Sequence, residues 1–93
     1  MVYAKKIVLD CPTGYKPELA GLVEAFIRDN VAFVGVTGKD CSKIEDIIDE
    51  IVVGLGDRDY DLLTSSHPDK TLEDAIQFAK SLSITGDIQI IKL

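Results

Sequence analysis

Ile7-Val8-Leu9 is an unbroken apolar run that ends in the polar stretch Asp10-Cys11-Pro12-Thr13-Gly14-Tyr15. A short apolar run closed by turn residues predicts a strand covered on both faces. Pro12 holds Cys11 in extended geometry, and Gly14 permits a sharp turn. Leu19, Leu22, Val23, Phe26 and Ile27 then recur at helical spacing, predicting a helix from near Pro17 to Asp29-Asn30. Residues 31–37 are an uncharged second strand, and Gly38-Lys39-Asp40 is its turn. Ser42, with Glu45 three residues on, predicts a capping box. Ile44, Ile47, Ile48, Ile51, Val52 and Leu55 make the stripe of the second helix, which Gly54 and Gly56 end. Its other face carries Glu45, Asp46, Asp49 and Glu50, like charges at four-residue spacing that oppose the helix mildly.

Asp57-Arg58-Asp59 reads as a charged loop and 60–66 as a third strand. Thr71 caps a third helix with Asp74 as box partner. Leu72, Ala75, Ile76, Ala79 and Leu82 form its buried face, with Phe78 to one side. Thr85-Gly86-Asp87 turns into a last strand, 88–93. The pattern is β-α-β-α-β-α-β over residues 1–93, one α/β domain. Connections longer than ten residues make parallel neighbours with right-handed crossovers. The favoured strand order is the flavodoxin-like 2-1-3-4, with 3-2-1-4 as the alternative. The uncharged second strand argues for the alternative, because edges usually carry charge or proline. Under 2-1-3-4 it is instead a bare edge open to another chain. The last strand, with Gln89 and Lys92, reads as a protected edge.

A net charge of −6, from 16 acidic and 10 scattered basic residues, argues against nucleic acid as a partner. No apolar run is long enough to cross a bilayer, so no membrane partner is expected. The first residues lack a signal-peptide layout, and the expected location is cytoplasmic, with Cys11 and Cys41 as free thiols.

Ligands of an open parallel sheet bind beyond the carboxyl ends of its strands. Three turns lie there, at 10–15, 37–42 and 65–69. In order 2-1-3-4 the first and third are neighbours, which brings Cys11 and Asp10 toward His67, the only histidine. Cys11, His67 and Asp10 are then the candidate catalytic group, since a nearby imidazole can activate a thiol. Thr13, Gly14, Gly38, Lys39, Ser65 and Ser66 are the candidate ligand-binding group. The structural alternative is the commoner one: a cysteine at a strand end is usually a small buried hydrophobe. Cys11, Cys41, His67 and Asp10 include zinc-ligand types, but without ligand spacing, so neither a metal nor a cofactor is expected. Gly38-Lys39 is not a Walker loop, since Phe33 and Asp40 stand where glycine and Ser/Thr belong.

Cys11 after the first strand resembles the phosphocysteine position of the IIB sugar-phosphotransferase domains, which implies phosphoryl transfer through that thiol. Leu62-Leu63-Thr64-Ser65-Ser66-His67-Pro68 with Thr71-Leu72-Glu73-Asp74-Ala75 resembles small bacterial α/β domains of unknown function. With no catalytic signature, the leading expectation is a protein-interaction or regulatory module without catalysis, working with a protein partner or as a homodimer. The alternative is a small-molecule or phosphoryl-transfer protein that takes a small anionic ligand and uses Cys11 with His67.

Overall fold

The computed structural model describes residues 3–55 and 62–93. Within them the chain runs β1 (Lys6–Cys11), α1 (Glu18–Arg28), β2 (Phe33–Gly38), α2 (Cys41–Leu55), β3 (Leu63–Ser66), α3 (Leu72–Ser81) and β4 (Ile88–Lys92). All neighbouring strands are parallel, in the order β3-β2-β1-β4. The α/β class and the four-stranded parallel sheet are those the alternation predicts. The order is 3-2-1-4, so the favoured 2-1-3-4 is corrected to its alternative. The reason lies in β2, whose first five residues, Phe33 to Thr37, are all buried. A strand with no charge to desolvate belongs inside the sheet. It has β1 on one side and β3 on the other, so it is no edge for another chain to pair with.

The sheet has a helix layer on each face. Ile7, Leu9 and Cys11 of β1 and Val34 and Val36 of β2 pack with Leu19, Val23 and Phe26 of α1 and Ile44 and Ile48 of α2. The alternate residues Val8 and Phe33 pack with Ala75 and Ala79 of α3. Handedness explains the split. The β1-β2-β3 crossovers step one way across the sheet and the β3-β4 crossover steps back, so its helix falls on the opposite face.

The helix starts differ in quality. In α3, Thr71 and Asp74 form the predicted box, each side chain bonded at 3.1 Å to the other's backbone N–H. In α2 the predicted box does not form. The helix begins at Cys41, and the Asp40 carbonyl accepts the Ile44 N–H at 2.9 Å, so Ser42 lies inside the first turn. Its hydroxyl instead lies 3.3 Å from that of Ser66. Glu45 accepts from the Thr64 hydroxyl at 3.0 Å, and Asp49 lies 2.7 Å from the same oxygen. One hydroxyl hydrogen placed between the two carboxylates eases their repulsion. Gly54 lies within α2. Gly56, the 57–59 loop and the first residues assigned to the third strand, Tyr60 and Asp61, lie outside the described residues.

Gly38 closes the β1–β2 ladder opposite Cys11, at φ +105°. A Cβ there would collide with the Cys11 carbonyl, its carbon only 2.6 Å away. Gly38→Ala is therefore expected to cost about 2–4 kcal/mol in denaturant unfolding, from backbone strain plus overpacking. Gly21→Ala, inside α1 with open space at its Cβ, should stabilise by about 0.5–1 kcal/mol.

Candidate functional site at the carboxyl end of the sheet

The three turns after β1, β2 and β3 form a row in strand order. The first two are joined through the Cys11 carbonyl, which accepts the Gly14 N–H at 3.2 Å and the Lys39 N–H at 2.9 Å. Gly14, at φ +91°, also packs against the side chains of Asp40 and Lys39. The second and third turns are joined by the Ser42–Ser66 contact and by the Thr37 hydroxyl, which donates to the Lys70 carbonyl at 3.4 Å. The His67 N–H continues the ladder to the Val36 carbonyl at 2.9 Å.

This row separates the candidate catalytic residues. In the order β3-β2-β1-β4, β2 stands between β1 and β3, so the first and third turns are not neighbours. Two strand spacings set Cys11 and His67 about 9–10 Å apart across the sheet. They also face opposite ways. Cys11 is fully buried in the α1/α2 core with Cys41, whereas His67 stacks edge-on against Phe78 of α3, ring centroids 5.0 Å apart. Asp10 alternates with Cys11 and so turns away from it. The convergence expected of order 2-1-3-4 is thus lost with that order.

Electrostatics follows placement. Burial pushes the Cys11 thiol up to about 11, helped by the neighbouring Asp10 and Cys41 and opposed by Lys16. A thiolate nucleophile needs the opposite environment. Burial lowers the His67 pKa, with Glu45 and Asp74 pulling the other way. Its Nε2 lies 2.8 Å from the Ser65 hydroxyl. Both cysteines are buried free thiols. Among the described residues, no three His, Cys, Asp or Glu side chains cluster as a metal site would require.

The candidate ligand-binding residues divide among these contacts. Thr13 is exposed at the tip of the first turn, while Gly14 is buried beneath Lys39 and Asp40. Ser65 bonds His67, and Ser66 bonds Ser42. Gly38 and Lys39 line an open cleft of about 430 Å³, together with Asp40, Cys41, Ser42, Lys43, Pro68 and Asp69. The cleft opens over the start of α2, with Lys39 in the turn before the helix and Lys43 in its first turn. Sequence reasoning missed Lys43 and the Ser65–His67 pair. The second had a signal, a two-residue interval that puts both side chains on one side of an extended chain.

The family described as "Domain of unknown function (DUF7684)" matches residues 12–92. The chain belongs to this family. No curated protein and no solved structure matches it. The DUF7684 match takes in the second and third turns and the cleft whole. It begins after Cys11, so neither that thiol nor Asp10 lies in the matched span.

Native Cys11 is expected to resist iodoacetamide below about pH 9 and to react at the rate of global unfolding. Rapid alkylation at neutral pH would contradict its placement. The raised Cys11 pKa favours the folded state while the thiol is protonated, so that stability is intact below the ordinary value of 9.0 and is lost as pH rises through about 11. For His67 the folded state favours the neutral ring. Its contribution is intact above 6.5 and is lost as pH falls through the lowered value, which an NMR titration of the ring protons would locate.

Proposed function

We propose that this DUF7684 chain is a non-catalytic domain that acts by binding protein. One observation carries the reading: among the described residues a single helix, α3, covers one face of a four-stranded sheet. Large apolar side chains are left half-exposed on both sides of it. Leu63 of β3 is 49 % exposed and Phe78 of α3 is 41 %, on one shoulder; Ile90 of β4 is 50 % exposed on the other. Leu63 sits opposite Phe33 in the ladder, and Phe33 in turn touches Phe78, so the first shoulder is continuous. Exposed apolar surface of this kind is what contact surfaces are made of. A cytoplasmic setting accords with two free thiols, and no helix among the described residues is long and apolar enough to cross a membrane. The full chain used as bait in its own cells is expected to capture a partner that Leu63→Ser/Phe78→Ser loses. Capture indifferent to those substitutions, in a protein that also stays monomeric, would sink the reading.

The cleft favours a second reading, a small anion held at the start of α2. Lys39, Lys43 and the free N–H groups of the first helical turn attract negative charge there, while Asp40 and Asp69 oppose it. Inorganic phosphate should shift the amide signals of residues 41–43, and Lys39→Ala/Lys43→Ala should abolish the shift. Unchanged spectra at millimolar phosphate would remove this reading. Phosphoryl transfer through Cys11 draws no support from the buried thiol.

A further inference from the structure

The outer edge of β4 is open among the described residues. β4 is the last strand of the sheet, with β1 on one side only. The Lys6 N–H donates to the Asp87 carbonyl at 3.4 Å, and the Leu93 N–H donates to the Asp10 carbonyl at 2.8 Å. Odd-numbered residues of β4 therefore turn their backbone groups toward β1. Ile88, Ile90 and Lys92 turn theirs outward.

Edge strands are usually blunted by charge, proline or a bulge. Of the two polar residues expected to protect this edge, Gln89 is engaged elsewhere, since its side chain accepts the Ala4 N–H at 3.0 Å. Lys92 stands only at the strand's end. The other two outward residues, Ile88 and Ile90, are apolar, and Ile90 stands at the centre of the strand.

We infer that β4 pairs antiparallel with β4 of a second copy, about a two-fold axis through Ile90, making one continuous eight-stranded sheet. The inference rests on the protein-contact reading and names the partner. The register follows from the outward set. Ile90 opposes Ile90 of the other copy, and Ile88 opposes Lys92, so each outward N–H and carbonyl meets its complement in a hydrogen-bonded pair. A two-fold interface must be self-complementary in this sense. Charge agrees, because antiparallel pairing sets Lys92 of one copy against Ile88 of the other. Parallel pairing would stack like on like. The axis stands perpendicular to the sheet, so both α3 helices lie on the same face, with the two Ile90 side chains in the groove between them.

Residue 90 facing itself gives a test specific to this register. Sedimentation should find the wild-type chain dimeric. Ile90→Lys and Ile90→Glu should each weaken self-association at least roughly tenfold, by setting like charges directly opposite one another. An equimolar mixture of the two variants should recover a dimer. Amide exchange at Ile88, Ile90 and Lys92 should slow as wild-type concentration rises, which tests the pairing without any substitution. A wild-type monomer at about 1 mM, a dimer untouched by Ile90→Lys, or a mixture that stays monomeric would each overturn the inference. If the dimer fails while Leu63→Ser/Phe78→Ser still abolishes capture, the second copy is removed and the protein-contact reading stands.

Discussion

Ile7, Val8 and Leu9 of β1 and Phe33 to Thr37 of β2 are buried from both sides, and neither strand brings a charge to its buried centre. Two such strands must sit side by side in the middle of the sheet, since either one at an edge would leave apolar backbone open to pairing. That requirement sets the order. With β1 and β2 inside, β3 extends one side, β4 closes the other, and the chain has to cross back over the sheet to reach it. Right-handed connection then gives α1 and α2 one face and leaves α3 alone on the other.

The asymmetry has consequences at both edges. Two helices on one face bury a large set that includes Leu19, Val23, Phe26, Ile44 and Ile48. The other core is small, with Ala75 and Ala79 letting α3 lie close over Val8 and Phe33. A helix brought in that closely seals the centre of its face but does not reach Leu63 or Ile90 on the flanking strands. The exposed apolar positions are therefore a result of topology. A fifth strand with its own helix would cover one shoulder, and so would another protein.

Periodicity identified the elements because each is locally consistent. The α3 box, the α1 stripe and the β1 run all have spacings that admit one structure. Strand order was harder to read because its signal is comparative: β2 had to be judged more internal than β3, and the cue was only an absence of charge. The α2 start was misplaced by two residues because Ser42 and Glu45 have capping chemistry wherever they stand. In the fold the neighbouring β3 supplies Ser66 and Thr64 as partners instead. The expected grouping of Cys11 with His67 depended on the strand order. Cys11 and His67 looked like neighbours only under 2-1-3-4, and one exchanged strand separated them by the width of β2 and put them on opposite faces.

At the end of the sheet where an α/β domain usually holds its ligand, this chain commits many of its polar groups to internal contacts. The Cys11 carbonyl ties two turns together, Thr37 reaches Lys70, Ser42 meets Ser66, and Ser65 meets His67. Each contact fixes one turn against the next or within itself, and Gly38 is there because the first of them leaves no room for a Cβ. The opposite condition holds at the β4 edge, where the outward N–H and carbonyl groups of Ile88, Ile90 and Lys92 point away from the sheet and a half-exposed isoleucine stands among them. Free bonding capacity and exposed apolar area coincide there, and both are complementary to another strand.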